Sequence, residues 1–443
     1  MNTRYRLNCR HAVLALVILG GCGRGAGDGL DCPPEVQCCG PDCEASPLPD
    51  PGPLPDAGPP PLQIIGLEAT IAVVDKVEGE DTAVSIAFEQ GQVHAAYWRC
   101  VLFNMARCAP LPMPGSCEGL RYATGASGMF SRQMVDDSSG SGASLLMAQG
   151  ALMGISASSA PEPGSVLFHA PGKGPLWVES EVATGVGAPF GRTSTGVAPD
   201  GSIRVAWVDY HHLHRAAQQS WGAWQEAPPL VLPADLVSHA VAFDRAGVPH
   251  VAFSRGEAGS LTRSPSTTLE YYPLQGKIAT IAVLEALQPM GAPEIRVEQL
   301  LIDVQDRAHM LVRVEDWAAQ VPHAELVYVK GVPGSWSIQP LGVYFPRPVS
   351  LDSVALALDD TGLAHVAISG TIAPAAKVPG PQEQLLLVGT NSFSGDGGWL
   401  FRELGDPDVT GAVALAAGGG QAHVGYFGAT TFKVARVTLY PDP

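Results

Sequence analysis

The sequence predicts an all-β fold made of seven copies of one four-stranded unit, and three observations carry that expectation. The first is a strand, tight turn and strand pattern, clearest in Ser353–Gly370. Small and apolar residues alternate from Val354 to Leu358, Asp359-Asp360-Thr361-Gly362 is a run of turn formers, and Leu363 to Ile368 alternates again. The second is recurrence. Second strands of this type read VHAAYW (93–98), ALMGIS (151–156), IRVAWV (203–208), PHVAFS (249–254), AHMLVR (308–313), AHVAIS (364–369) and AHVGYF (422–427), and the six intervals from His94 to His423 average about 55 residues. The third is composition. With 51 Gly, 39 Pro and few charges, the chain suits short strands joined by turns, and no sustained 3.6-residue periodicity occurs after residue 60.

A repeat of that length exceeds a solenoid unit and fits the blade of a seven-bladed β-propeller. Short third strands are expected at Leu120–Ala123, Leu167–Ala170, Leu213–Ala216, Leu326–Val329, Leu385–Val388 and Phe432–Ala435. Aromatic-led fourth strands are expected at Phe130, Trp177, Trp224, Trp336 and Trp399. Blade four is less regular, with Leu261–Ser264 expected as its third strand and Leu269–Leu274 as its fourth. Blade seven lacks an aromatic-led fourth strand, and Leu67–Val74 has strand composition with no blade of its own. That segment is therefore expected to complete blade seven and close the ring, removing exposed edges. Six blades, with the weak second unit absorbed elsewhere, is the architectural alternative.

Three segments divide the chain. Residues 1–21 read as an export signal, with Arg4, Arg6 and Arg10 before the apolar run Ala12–Leu19. The run is too short to span a bilayer comfortably. Residues 22–62 form a Cys- and Pro-rich tether ending in SPLPDPGPLPDAGPPP, whose closely spaced prolines favour extended chain. Residues 63–443 form the propeller. In the tether, Cys32, Cys38, Cys39 and Cys43 point to disulfides, since adjacent Cys38-Cys39 fit zinc spacing badly. Cys100, Cys108 and Cys117 lie in or beside the longest loop, where one disulfide would leave an odd thiol.

Two resemblances attach to these residues. Leu19-Gly20-Gly21-Cys22 resembles the lipobox of bacterial lipoproteins, which implies lipid modification of Cys22, cleavage before it, and membrane attachment at the cell envelope through the anchor alone. The SxALDxxGxxHVAY hairpin, followed by LxYA and an aromatic-led strand, resembles the repeats of secreted bacterial β-propellers, related in style to the Asp-box propellers of sialidases. This second resemblance covers roughly residues 64–440 and implies a fold while implying little about activity. Blade one has Glu89-Gln90-Gly91, blade two Ala148-Gln149 and blade seven a run of glycines, so their turns lack the Asp, and no full S-x-D-x-G-x-x-W box occurs.

The charge balance narrows the partners. A formal net charge of −17 repels nucleic-acid phosphates and anionic lipid, so the chain is expected to bind no nucleic acid. No G-x-S-x-G, H-E-x-x-H or P-loop motif is present, and no sialidase set of arginines, tyrosine and acids can be assigned by motif. The repeated His94, His250, His309, His365 and His423 read as structural, because equivalent residues of neighbouring sheets lie about 10 Å apart, too far to share one ion. No cofactor and no metal is expected. The weak metal alternative is His211, His212 and His214, the last two on one strand face.

In a propeller the connections from strand two to three and from strand four to the next blade share one face. Here the two-to-three connections are long and variable, whereas the Asp-Gly turns of the opposite face are short. A ligand site is therefore expected on the long-loop face, near Trp98, Arg99, Asp209, Tyr210, Arg255, Asp316 and Trp317. The leading expectation is a monomeric, lipid-anchored, non-catalytic binding or scaffold module for an envelope carbohydrate or protein ligand. A glycoside hydrolase or lyase with an axial active site, and a structural spacer, are the alternatives.

Overall fold

The computed structural model describes the strands and tight turns between Ala69 and Thr438. Outside the described residues lie 1–68 and 439–443 and, within the ring, chiefly 77–83, 101–116, 160–163, 187–192, 257–267, 288–292, 317–322, 342–348, 373–382 and 392–397. The signal, the tether and Cys22 thus fall outside, as do Cys108, Tyr210, His211 and Trp317.

Seven antiparallel sheets of four strands form the ring. Blade one comprises β2 (Val84–Glu89), β3 (Gln92–Cys100), β4 (Cys117–Ala126) and β5 (Met129–Asp136), and blade two β6 (Gly140–Ala148), β7 (Ala151–Ser159), β8 (Gly164–Pro171) and β9 (Trp177–Val186). Blade three holds β10 (Ser194–Val197), β11 (Ile203–Asp209), β12 (His212–Gln218) and β13 (Gln225–Val231). Blade four holds β14 (Leu236–Phe243), β15 (Pro249–Arg255), β16 (Thr268–Pro273) and β17 (Ala279–Ile281), followed by a single short helix, α1 (Val283–Leu287). Blade five is β18 (Glu294–Ile302), β19 (Ala308–Asp316), β20 (His323–Val332) and β21 (Ser335–Pro340). Blade six is β22 (Val349–Leu358), β23 (Ala364–Ile372), β24 (Glu383–Asn391) and β25 (Trp399–Glu403). Blade seven is β26 (Val409–Gly418), β27 (Gln421–Gly428) and β28 (Thr431–Thr438), completed by β1 (Ala69–Lys76).

The expected closure is present: β1 pairs antiparallel with β28, Ala69 opposite Val437 and Lys76 opposite Thr431. Blade four departs from expectation. The segment expected as its fourth strand is the third, β16, and the fourth is the three-residue β17, which has no aromatic lead; residues 261–264 lie outside the described residues.

No single core exists. Seven apolar clusters occupy the seven seams between consecutive blades, each drawing residues from both neighbours. Each sheet therefore buries both faces, and the middle strands lose the in-and-out alternation of a half-exposed strand: β15 is buried from Pro249 to Ser254 without a break. Ring geometry repeats at the seams. Third-strand aromatics meet the fourth-strand Trp of the next blade edge to face: Tyr122 with Trp177 at 5.4 Å, Tyr271 with Trp336 at 5.2 Å and Tyr328 with Trp399 at 5.3 Å. The strand-four tryptophans thus pack each of these blades against the one before it.

Four of the five repeated histidines, His94, His250, His309 and His365, are tied within their own blades. Nε2 of His309 lies 2.9 Å from Asp303 Oδ2 and that of His250 3.1 Å from Asp244 Oδ2, while Nδ1 of the two rings meets the hydroxyls of Tyr328 and Tyr271. A carboxylate can only accept, so Nε2 carries the proton and Nδ1 accepts from tyrosine. The carboxylate also organises the turn: Asp359 Oδ1 accepts from the backbone N–H of Thr361 and Leu363, both at 2.9 Å. Gly362 supplies the left-handed residue (φ +79°) that this turn needs, and Asp306 takes the same role in blade five at φ +58°. Burial alone raises the carboxyl of Asp303, but hydrogen bonds from His309 and Arg307 outweigh it and hold the group well below the usual carboxylate range.

Between inner strands, hydroxyls stitch neighbour to neighbour. Ser85, Ser238 and Ser353 accept the backbone N–H of Leu145, Val297 and Val413 respectively, at 3.1, 2.7 and 3.2 Å. Gln299 does the same in blade five, bonding both N–H and C=O of Leu356.

Candidate functional site

The seven inner strands surround a central channel of about 690 Å³, lined largely by small and apolar residues and by exposed strand backbone. Ser85, Ser144, Thr193 and Thr195 add hydroxyls to the wall, and His239 (β14) and Glu298 (β18) bring ionisable groups to it from adjacent blades. A channel built of inner strands narrows the chemistry to what those few groups and the rim can do.

Among the described residues, the densest charged constellation of the long-loop face lies at blades four and five. Arg255, the last residue of β15, grips Asp235 with two parallel bonds of 3.0 Å and reaches Glu270 Oε1 at 3.1 Å. The hydrogen bonds to Asp235 raise its already high pKa further, so the guanidinium stays charged. In blade five, Arg296 bonds Glu294 at 2.9 Å and lies 3.6 Å from Glu315. Arg313 pairs with Glu298 at 2.7 Å and with Glu315 at 3.4 Å, and donates to the carbonyl of Leu351 at 2.9 Å. Glu298 thereby connects the rim to the channel. Each planar group holds its neighbour in one orientation, while the side chains of Arg255 and Arg296 keep 36% and 42% of their surface exposed. Five carboxylates face three guanidiniums, so the patch carries net negative charge and favours a neutral or cationic ligand over an anionic one.

The residues expected from the sequence separate. Arg255 sits in this constellation. Asp209 lies at the end of β11, 4.0 Å from His214 Nε2. His214 stacks flat on Trp207 at 5.2 Å and 7°, and His212 meets His214 edge-on at 6.1 Å, as a shared strand face requires. Trp98 is 1% exposed, and its indole N–H donates to the carbonyl of Gly142 at 2.7 Å, which places it in the seam between blades one and two, away from solvent. Arg99 is the penultimate residue of β3 and Asp316 the last of β19, but their side chains lie outside the described residues, with Tyr210, His211 and Trp317. Sequence reasoning did not single out Arg296, Arg313, Glu294, Glu298, Glu315, Asp235 and Glu270. One signal was available: charged residues inside β18 and β19, where blades otherwise carry apolar ones.

Comparison with known proteins bears on the fold alone. No protein-family model matches the sequence, and no curated protein matches it. Among solved structures, the chain is similar to an ulvan lyase of a new polysaccharide lyase family bound to -[GlcA(1-4)Rha3S]-, with 10% identity over 83% of this chain and 95% of the lyase at a TM-score of 0.50. A protein of unknown function from Dyadobacter fermentans follows, with 10% identity over 85% of this chain and all of that one at a TM-score of 0.46. The Aleuria aurantia lectin bound to Fucalpha1-6GlcNAc has 12% identity over 74% of this chain and 96% of the lectin, at a TM-score of 0.40. At such identities the likeness is one of fold. Function has to be argued from the site itself.

Proposed function

We propose that this propeller is a recognition module of the cell envelope that binds carbohydrate at the blade four and five rim, held to the membrane by lipid on Cys22. The observation that carries the reading is the set of guanidinium and carboxylate pairs that Arg255 makes in blade four and Arg296 and Arg313 make in blade five, from which Glu298 reaches the channel. Fixed planar donors and acceptors, half exposed and already oriented, suit the vicinal hydroxyls of a sugar and lose little entropy on binding. Known carbohydrate-binding and carbohydrate-cleaving proteins among the similar folds agree with this reading without carrying it. The test is a glycan array probed with the labelled full chain, beside pull-down from envelope extracts. Saturable glycan binding that falls at least about tenfold in Arg255→Ala and Arg296→Ala, with folding unchanged, is the expected result. Capture of a protein instead, lost in the same variants, would make the rim a protein site; binding indifferent to both arginines would remove the site. Trp98 is unsuited as a site control, because its loss tests folding.

A second reading rests on His239 and Glu298, which line the channel from neighbouring inner strands. Such a pair could move a proton in an axial lyase or hydrolase. Incubation with uronate-containing polysaccharides, followed by the ultraviolet absorbance of unsaturated products and by reducing ends, decides it. Turnover abolished in Glu298→Gln would establish the enzyme.

Two further parts of the proposal concern covalent chemistry. Cys22→Ala is expected to move the protein from the membrane to the soluble fraction. Cys100 and Cys117 are register partners across β3 and β4 at the root of the longest loop, and we assign them a disulfide that leaves Cys108 free. Peptide mapping without reductant tests this pairing. The closed ring presents no open sheet edge between its first and last blades, in keeping with a monomer, which light scattering checks.

A further inference from the structure

We infer that Asp136, His169 and Glu179 form a divalent-cation site that ties blade one to blade two. Asp136 ends β5, the outer strand of blade one, whereas His169 and Glu179 face each other as register partners on β8 and β9 of blade two. One ligand atom from each lies within 4.8 Å of the others, and His169 Nε2 is 3.7 Å from Asp136 Oδ2. Ligands bound at about 2.0–2.1 Å in a tetrahedral shell stand roughly 3.3 Å apart, so a small contraction completes the geometry.

Two observations point to a missing cation. His169 is 1% exposed, yet neither ring nitrogen has a hydrogen-bond partner, whereas the aligned tyrosines Tyr122 and Tyr328 bond the histidines of their own blades. A buried imidazole with two empty nitrogens is costly unless something ligates it. The second observation comes from the neighbouring seam. There Asp75, at the end of β1, is neutralised by Arg132 at 2.6 Å, and Arg132 stands two residues after Phe130. Glu179 stands two residues after Trp177, at the same place in blade two. Between blades six and seven Asp406 has Lys433 at 2.7 Å. The seam of blades one and two thus brings the Glu179 carboxylate close to that of Asp136, at the strand position that Arg132 takes in blade one.

One imidazole and two carboxylates suit a zinc-like transition ion better than calcium, which takes six to eight oxygens. Glu179 is exposed at the rim, giving the ion a way in and leaving positions for water.

The test uses the full chain, freed of metal by chelation and titrated with Co²⁺, whose spectrum separates this site from the cysteines. Wild type is expected to bind one equivalent more than His169→Ala, with visible d–d bands free of thiolate charge transfer, displaced by Zn²⁺, and with a higher melting temperature when loaded. Glu179→Arg restores the arginine of the neighbouring seam. It is expected to fold, to lose the extra equivalent, and to melt above metal-free wild type. Equal uptake and identical spectra for wild type and His169→Ala would overturn the proposal, as would an extra equivalent retained by Glu179→Arg.

Discussion

His309 and His423 occupy the same repeat position and differ in what surrounds them. His309 has the turn carboxylate of Asp303 on one nitrogen and Tyr328 on the other. Blade seven turns instead on Gly419 and Gly420, both left-handed, so no Asp is available, and neither nitrogen of the buried His423 finds a partner; its ring stacks on Phe88 at 4.2 Å. Burial, with Arg436 adding to it, lowers His423 from its ordinary value of 6.5 to about 4. Between these values the unfolded chain binds more protons than the folded one. Stability through this group is therefore complete above pH 6.5 and is lost as pH falls toward 4, by an amount on the order of 3 kcal/mol. His423→Phe keeps the stack and removes the titration, so urea midpoints measured from pH 7 to 4 should fall less steeply in the variant than in wild type. An unchanged slope would refute this account. The opposite substitution at the satisfied site, Tyr328→Phe, strands a buried imidazole nitrogen and is expected to cost about 1–3 kcal/mol in the same denaturation assay. The sequence made these histidines legible as structural because a turn opening on Asp stands six residues before three of them. It could not reveal Trp98 as buried. Tyr97 and Trp98 are adjacent and both enclosed, since a middle strand is covered on both faces and period-two reasoning distinguishes nothing there.

Elements of this ring were legible to the extent that each carried its own marker. Hairpins with Asp-Gly turns and strands led by Trp fell at their observed places, whereas β17 has three residues and no aromatic, so the blade-four assignment slipped by one strand. The charged rim was less legible still, because its members come from β15, β16, β18 and β19 and from Asp235 just before β14, far apart in sequence and brought together only as the strands of blades four and five pair. Blade two shows how one residue type adapts a strand to its neighbour. Its second strand reads ALMGIS, with Gly154 where blades one, three, four, five and six carry Ala or Leu, and a Cβ there would lie 2.2 Å from Phe168 Cζ and 2.9 Å from the carbonyl oxygen of His169. Phe168 is fully buried and meets Trp224 of blade three at 5.5 Å, so it has nowhere to go. Gly154→Ala is accordingly expected to cost about 1–3 kcal/mol by overpacking, read by chemical denaturation. Adding Phe168→Leu should make the alanine less costly than it is alone. Additive losses would show that the ring is not what excludes the methyl group.

At the scale of the whole molecule, stability depends on a circle whose first strand, β1, belongs to its last blade. β1 contributes the full outer edge of blade seven through its ladder with β28. It also reaches forward: Asp75 bonds the Tyr97 hydroxyl at 2.8 Å and Arg132 at 2.6 Å, both in blade one. One strand therefore joins the two ends of the ring by backbone pairing on one side and by charge on the other. Removing residues 69–76 should expose β28 as an unpaired edge and release the blade-one contact together, giving a lower melting temperature and concentration-dependent association by light scattering. Asp75→Asn separates the two contributions. The ladder survives while the ion pair and part of the tyrosine bond weaken, and because Arg132 is half exposed the expected loss is small, about 1 kcal/mol or less, with no association. A deletion that stayed monomeric with an unchanged melting temperature would mean that six complete blades and a three-stranded seventh hold the circle without help from β1, and the closure would then be a consequence of folding instead of its lock.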